Sequence, residues 1–181
     1  LSNLPGSLTF DADTGTFVGK PGSSDLVALK AANKLAGIHT NDNLASLDVT
    51  VTATDLRHAS VSDTFTLTIS NVNDAPLLNP ASTIATQSVT QGTPFRFAVP
   101  GDRFTDADAA FGDLLTYSAT LSGGAALPGW MTFDPTTRLF SGTAKTDNSS
   151  LGLLNIRLTA TDSGQLSVSD TVTINILPTN T

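Results

Sequence analysis

The chain repeats itself, and this repeat constrains the fold more than any other feature of the sequence. LPGSLTFDADTGTFVG, residues 4–19, aligns on LPGWMTFDPTTRLFSG, residues 127–142, at a constant offset of 123. Two shorter blocks repeat at an offset of 107: VTATD on LTATD, and SDTFTLTI on SDTVTINI. Such self-similarity predicts two copies of one structural unit, of which the first carries 16 extra residues between its blocks.

The repeated blocks have the period of half-buried strands. Apolar residues alternate with Thr, Ser and Asp along residues 47–54 and 64–69, and again along 156–160 and 168–176. Successive side chains of a strand point to opposite faces, so this alternation indicates one buried and one solvated face. Short strands at this spacing, bounded by Gly, Pro and Asp, are typical of antiparallel sandwiches. We therefore expect an all-β fold of tandem β-sandwiches.

The insertion at residues 20–46 contains SSDLVALKAANKLAG, which predicts one short helix. Ser23 or Ser24 would be its N-cap and Gly37 its stop. Four apolar residues recur every third position and would form one buried stripe: Leu26, Leu29, Ala32 and Leu35. We expect this helix to cover one end of the first sandwich.

The two copies are joined by SNVNDAPLLNP, residues 70–80, which has the composition of a connector. Pro76 fixes its own φ and favours an extended residue before it, so the linker should be short and stiff. The predicted domains are residues 1–76 and residues 77–181.

The first domain is predicted to be incomplete. The second copy has about fifty residues before its LPG block, including the strand patterns PFRFAV and LLTYSATL, whereas the first copy has three. Residues 1–76 therefore read as the later part of a sandwich that lacks its first three strands. Truncation, an upstream location beyond an inserted domain, and donation by a second chain all remain open. If the segment folds alone, we expect homophilic strand exchange through residues 1–76.

The charge of the chain excludes some partners. All 16 acidic residues are aspartates, only nine Lys and Arg oppose them, and the net charge is −7. This balance argues against a nucleic-acid partner, because binding to nucleic acid requires clustered cations.

No cysteine is present, so disulfides and thiolate metal sites are excluded. No apolar run reaches the ~18 residues of a membrane span, so direct membrane insertion is not expected, and any export signal lies outside this segment.

The segment FTDADAAFGD concentrates negative charge. It contains Asp106, Asp108 and Asp113 but no Lys or Arg. Two carboxylates about 4 Å apart repel by roughly 4 kcal/mol at an effective dielectric of about 20. The folded chain must therefore separate them, protonate one, or bind a cation between them.

Several motifs together resemble a known family. NVNDAP resembles the linker of cadherin repeats, D-x-N-D-N-A-P, and TDADAAFGDLLTYSATL resembles the D-x-D segment that opens the next repeat. LPGWMTFDPTTRLFSGT with LTATDSG is similar to the dystroglycan-type cadherin-like repeats of large bacterial surface adhesins. The resemblance covers residues 77–181 and the later part of the first copy. It implies cadherin-like sandwiches with Ig-like Greek-key topology.

The resemblance also implies Ca²⁺ bound at the junction between successive repeats. Matched residue by residue, the implied ligands are Asn73, Asp74, Asp106, Asp108 and Asp162, with looser matches at Asn71 and Asp113. Cadherins also contribute glutamates, which this chain lacks; Gln91 stands where the family often has one. We therefore expect one or two ions, with affinities of about 10⁻⁴ to 10⁻³ M.

Other residues carry weaker chemical signals. His39 near Asp42, and His58 near Asp55, lie in no catalytic motif, so no enzymatic activity is expected. Trp130 could stack on a sugar ring, but its alternation with neighbouring apolar residues favours a packed strand position. Two repeated aspartates before the last strands, Asp63 and Asp170, are expected to be turn residues.

The predicted function is a calcium-binding extracellular adhesion or spacer module of a larger surface protein, bacterial by its resemblance. Its partners would be calcium and neighbouring domains of the same chain. The alternative is a carbohydrate- or protein-binding module that uses Trp130 or the insertion at residues 20–46.

Overall fold

The structure is a computed structural model that describes residues 4–35, 44–147 and 151–179. The chain divides into two compact units. Unit 1 comprises Leu1–Asn73 with Ala110–Gly112, and unit 2 comprises Asp74–Ala109 with Asp113–Thr181. The domain boundary between residues 76 and 77 stays a prediction. Unit 2 begins close to it, at Asp74. None of the helices in the described parts of the chain is long and apolar enough to cross a membrane.

Unit 2 is a β-sandwich. Its strands are β5 (Leu77–Leu78), β6 (Gln87–Thr90), β7 (Pro94–Ala98), β8 (Phe104–Thr105), β9 (Thr116–Leu121), β10 (Met131–Asp134), β11 (Leu139–Thr143), β12 (Gly152–Thr161) and β13 (Ser167–Leu177). One sheet has the order β10-β11-β7 and the other β6-β13-β12-β9, while β5 and β8 form a small pair. Only β6 and β13 among these pairs run parallel. The all-β sandwich expected from the alternating pattern is confirmed.

The two larger sheets of unit 2 pack face to face over an apolar core. Ile156 and Leu158 of β12 and Val172 and Ile174 of β13 are fully buried. From the opposite sheet, Phe140 of β11 is also fully buried and belongs to the same cluster. Every second residue of each strand therefore faces inward, as the period-two pattern requires.

The described residues of unit 1 form two hairpins and a helix. Its elements are β1 (Leu8–Asp11), β2 (Thr16–Gly19), α1 (Ser23–Leu35), β3 (Leu44–Thr54) and β4 (Ser60–Ser70). β1 pairs with β2 and β3 with β4, both antiparallel. Within the described residues, each of these sheets has two strands.

Helix α1 begins one or two residues earlier than the sequence predicts. Its N-cap is Gly22, whose N–H donates to Asp25 Oδ2 (2.8 Å) and whose carbonyl accepts from Asp25 and Leu26. The predicted N-cap at Ser23 or Ser24 is therefore wrong, because a side chain in the first turn reaches back to a glycine N–H, as in a capping box. The predicted stop at Gly37 lies outside the described residues.

The buried face of α1 also differs from the predicted stripe. Leu26 and Leu29 lie on it, but Ala32 is exposed and Asn33 is buried in its place. Asn33 Nδ2 donates to the Ser46 carbonyl (2.8 Å), so the helix is held to β3 by a polar contact as well as an apolar one. The side chain of Leu35 is not among those described.

The repeat in the sequence is reproduced in the pairing of the strands. Val49 pairs with Phe65 in β3–β4, and the equivalent Ile156 pairs with Val172 in β12–β13. The same correspondence relates β1–β2 to β10–β11, where Leu8 pairs with Gly19 and Met131 with Gly142. Hydrogen bonds repeat too: Thr52 to Ser62 and Thr159 to Ser169, each 2.8 Å. The two hairpins of unit 1 are therefore copies of two hairpins of unit 2.

Gly142 provides a test of this hairpin geometry. A Cβ at this position would lie 2.2 Å from the Trp130 carbonyl oxygen, which belongs to the backbone and cannot move alone. We expect Gly142→Ala to lower the free energy of unfolding of unit 2 by about 2 kcal/mol. Trp130 is the single tryptophan and lies in unit 2, so denaturant unfolding followed by its fluorescence measures this.

The matched control is Gly129→Ala, since a Cβ there meets nothing within 4 Å. This control should change stability by less than about 0.5 kcal/mol. Equal stability of the two variants would show that the close approach at Gly142 is absent.

The interpretation of Asp63 and Asp170 as turn residues is wrong. Asp63 lies within β4 opposite Val51, and Asp170 lies within β13 opposite Leu158. Asp170 Oδ2 accepts a hydrogen bond from Arg103 Nε at 2.6 Å. In unit 2 this aspartate is therefore half of an ion pair rather than part of a turn.

Candidate functional site

The acidic segment at residues 104–113 is shaped by its own aspartates. β8 ends at Thr105, and a short 3₁₀ helix, Ala107–Phe111, follows. Asp106 starts this helix, because its Oδ1 accepts from the Asp108 N–H at 2.8 Å. This bond uses one of the two carboxylate oxygens of Asp106.

Asp162 begins the turn between β12 and β13. Its Oδ1 accepts from the Leu166 N–H at 2.8 Å, so the first carboxylate oxygen again closes a local turn. The next residue, Ser163, donates its N–H to Asp113 Oδ1 at 3.0 Å. That bond joins the acidic segment to the end of β12 within unit 2.

These contacts bring three carboxylates together. One oxygen each from Asp106, Asp113 and Asp162 lies within 4.8 Å of the other two. We call these three residues the aspartate cluster. Asp162 is 2% exposed, and the other two are half-buried. Asp106 Oδ2 and Asp113 Oδ2 are shielded from solvent, and neither meets hydrogen-bond geometry with a donor among the described residues, although the Ser163 side chain and the Leu114 N–H also lower the pKa of Asp113. Two buried acceptors without donors are unusual, because buried polar oxygens are normally satisfied.

The pKa values of Asp106 and Asp113 are shifted by burial and by neighbouring groups. Burial raises the pKa of Asp106 above its ordinary 3.8. The hydrogen bond from the Asp108 N–H lowers this pKa, and the negative charges of Asp108, Asp113 and Asp162 raise it further. The pKa of Asp113 is lowered, chiefly by the Ser163 N–H. A raised carboxyl pKa means that ionised Asp106 destabilises the fold. Its contribution to stability is present in acid and is lost as the pH rises through that pKa.

The other predicted ligands are placed differently. Asp108 is 2% exposed, and its Oδ2 accepts from the Asp74 N–H at 2.5 Å, so this carboxylate holds the first residue of unit 2. Asp108 is not one of the three clustered carboxylates. Asn71 and Asn73 belong to unit 1. Their role as ligands, and that of Asp74, stays a prediction.

Asp113, a looser match to the family than Asp108, is one of the three clustered carboxylates, and Asp108 is not; the role of each as a ligand stays a prediction. No spacing rule identifies Asp113, since the pairing with Ser163 joins residues 50 apart in the chain.

The residues considered for other chemistry are placed as follows. His58 is an exposed turn residue with φ 64°, and His39 and Asp42 lie outside the described residues. Trp130 is half-buried, with its ring edge-on to Phe95 at 6.1 Å; it is packed as expected, but it lies in the turn before β10 rather than in a strand.

Comparisons with known proteins agree with this architecture. A sequence model of the family described as "Putative Ig domain" (He_PIG) matches residues 75–177. A search of curated proteins found no match.

Among solved structures, human CDH23 EC21-23 has a TM-score of 0.58 at 19% identity, with 98% of this chain and 52% of that chain covered. The Protocadherin GammaB4 extracellular domain has a TM-score of 0.57 at 17% identity, covering 94% and 24%. Mouse Cadherin-23 EC22-24 has a TM-score of 0.51 at 14% identity, covering 96% and 50%. The chain thus spans about half or less of each of these structures. It belongs to the Ig-domain family whose model matches residues 75–177, and its fold is that of Ig-like and cadherin extracellular domains.

Proposed function

We propose that the aspartate cluster of unit 2 binds a calcium ion, and that the chain is a calcium-dependent adhesion or spacer module of an extracellular protein. The observation that carries this proposal is the pair of buried carboxylate oxygens without donors, Asp106 Oδ2 and Asp113 Oδ2, beside Asp162. A cation between them would satisfy both oxygens and offset the burial, and the neighbouring negative charges, that raise the pKa of Asp106.

Calcium suits this set of ligands better than other metals. It takes six to eight oxygen ligands in flexible geometry, whereas zinc and copper prefer nitrogen and sulfur. The chain has no cysteine and two histidines, and the clustered groups are all carboxylates. The remaining ligands would be backbone carbonyls, water, and the predicted Asp74 and Asp108 of the same unit.

The role we infer is mechanical and does not involve catalysis. A module of this kind would space and orient neighbouring domains of one surface protein, and the dystroglycan-type motifs support a bacterial adhesin as that protein. Without calcium, the repelling carboxylates loosen the 106–113 segment, and Asp108 in that segment holds the first residue of unit 2 through the Asp74 N–H. Calcium outside the cell would therefore stiffen the start of the sandwich.

Asp106→Asn tests the proposal with two effects of opposite sign. The amide keeps an oxygen for the Asp108 N–H but removes the negative charge. Without calcium, the variant should therefore be more stable to unfolding than the wild type at neutral pH. This gain should shrink in acid, where a proton already neutralises Asp106. Calorimetric titration should show a calcium affinity at least about tenfold weaker.

The control is Asp134→Asn, which makes the same charge change on an exposed turn outside the cluster. It should leave the calcium titration as in the wild type. If Asp106→Asn and Asp134→Asn give the same titration curves as the wild type, calcium does not bind at the cluster.

A further inference from the structure

The four-stranded sheet of unit 2 places its first and last strands side by side and parallel. Gln87–Thr90 of β6 pair with Ile174–Leu177 of β13, and the Gln91 N–H adds a hydrogen bond to the Leu177 carbonyl at 2.9 Å. The hydrogen bonds of a parallel pair are evenly spaced along both strands. Because the two strands run in one direction, the chain enters β6 at the end of the sheet where it also enters β13, and it leaves β13 at the opposite end.

Tension along the chain therefore loads this pair in shear. One pull acts before β6, through Asp74 at the start of unit 2, and the other acts after Leu177 at the end of β13. The two strands are drawn in opposite directions along a common axis, so all hydrogen bonds between them are loaded together. Forced unfolding is governed by the rate of crossing the barrier, and bonds that must break together cross it more slowly than bonds that break in turn.

The segment before β6 is fastened by Arg103. Its Nη1 donates to the carbonyls of Asn79 and Ser82 at 2.7 and 2.6 Å, and its own carbonyl accepts from the Asn79 N–H at 2.9 Å. The Ser82 hydroxyl also donates to Asp102 Oδ1 at 2.7 Å. Residues 79–82 lie between Asp74 and β6, so these contacts stand on the path of the tension.

Arg103 joins the same segment to the last strand. Its Nε donates to Asp170 Oδ2 of β13 at 2.6 Å, and the guanidinium is buried. Hydrogen bonds between charged groups are stronger than neutral ones. Asp170 lies four positions before Ile174, where the pairing with β6 begins, so the guanidinium adds a second attachment along β13.

We infer that unit 2 resists tension along the chain, and that Arg103 carries part of this tension from residues 79–82 to β13. The inference goes beyond the calcium proposal, because none of these contacts uses a residue of the aspartate cluster. Calcium binding and resistance to tension are therefore separable properties of unit 2.

Pulling in two directions tests the shear geometry. The chain has no cysteine, so pairs of introduced cysteines give defined attachment points for optical tweezers. In the full chain, the exposed pair Val72→Cys and Thr179→Cys loads β6 and β13 in shear. The exposed pair Thr93→Cys and Thr179→Cys lies just beyond the adjacent ends of the two strands and peels them apart. At one constant force, the folded lifetime of unit 2 should be at least about tenfold longer in shear than on peeling.

Arg103→Lys distinguishes a role in carrying tension from a role in stability alone. Lysine keeps the charge, but a single ammonium group cannot reproduce the separate contacts of Nε and Nη1. The lifetime should fall by a factor at least about five times larger in shear than on peeling. The control is Arg96→Lys, the same change at an exposed position of β7, which should alter neither lifetime.

Both pulling directions are compared with calcium and with a chelator, and the difference between them should persist without the ion. Equal lifetimes in the two directions would overturn the inference. An equal shortening by Arg103→Lys in both directions would also overturn it, because the residue would then act on stability only. A difference seen only with calcium would do so too, since the load would then pass through the aspartate cluster. Failure of the calcium titration would leave the inference standing.

Discussion

Replacing Arg103 by leucine is expected to lower the free energy of unfolding of unit 2 by about 3 kcal/mol. Arg103 is 9% exposed, and its Nε donates to Asp170 Oδ2 at 2.6 Å. Its Nη1 donates to the carbonyls of Asn79 and Ser82 at 2.7 and 2.6 Å. Leucine would leave a carboxylate and two carbonyl oxygens without this donor, and unsatisfied buried groups account for most of the loss.

The control for this variant is Arg96→Leu. Arg96 lies on the exposed side of β7, so the same chemical change should alter stability by less than about 0.5 kcal/mol. Denaturant unfolding monitored by Trp130 fluorescence compares the two variants. Equal losses of stability would mean that the buried position of Arg103 has no special role.

Calcium is expected to stabilise unit 2. With a dissociation constant of about 10⁻⁴ M, calcium at about 10 mM raises the free energy of unfolding by about 2.7 kcal/mol. For a domain of this size that corresponds to a rise in Tm of about 10 °C or more. Magnesium should give a smaller shift, because it requires a smaller and more regular octahedral site.

The control variant for this measurement is again Asp106→Asn, since it loses one clustered oxygen but retains the turn. Its Tm should rise by much less on addition of calcium, although it begins from a higher value without the ion. A calcium-dependent rise equal to that of the wild type would contradict the proposed position of the ion.

Much of the fold could be predicted because it depends on periodicity and repetition. The alternation of apolar and polar residues along 156–160 predicts which side chains are buried. The repeat offset of 107 residues predicts two hairpins with the same strand register. These are local signals, present in every short stretch of the strands.

Apart from the N-cap of α1, the errors arose where a residue's partner lies outside its own segment of the sequence. Asp170 has the local pattern of a turn residue, but Arg103, 67 positions earlier, makes it half of an ion pair. Asp170 and its equivalent in unit 1, Asp63, both accept from the next residue's N–H, so the local sequence gives both the same contact and does not reveal the distant Arg103. On α1, the polar Asn33 takes the buried position expected for Ala32 because it reaches the Ser46 carbonyl.

The candidate site was predictable only in part, for the same reason. The family resemblance implies Asp106, Asp162 and, more loosely, Asp113, whereas the contact that holds Asp113 in the cluster joins it to Ser163 across 50 positions. Asp108, one of the expected pair, is instead directed at the backbone of Asp74.

The most direct test of the account is a crystal structure of the chain grown with about 10 mM calcium chloride. We predict an anomalous density peak with oxygens of Asp106, Asp113 and Asp162 at about 2.3–2.6 Å from its centre. Density for water alone among these three side chains, with the carboxylates turned apart, would contradict it.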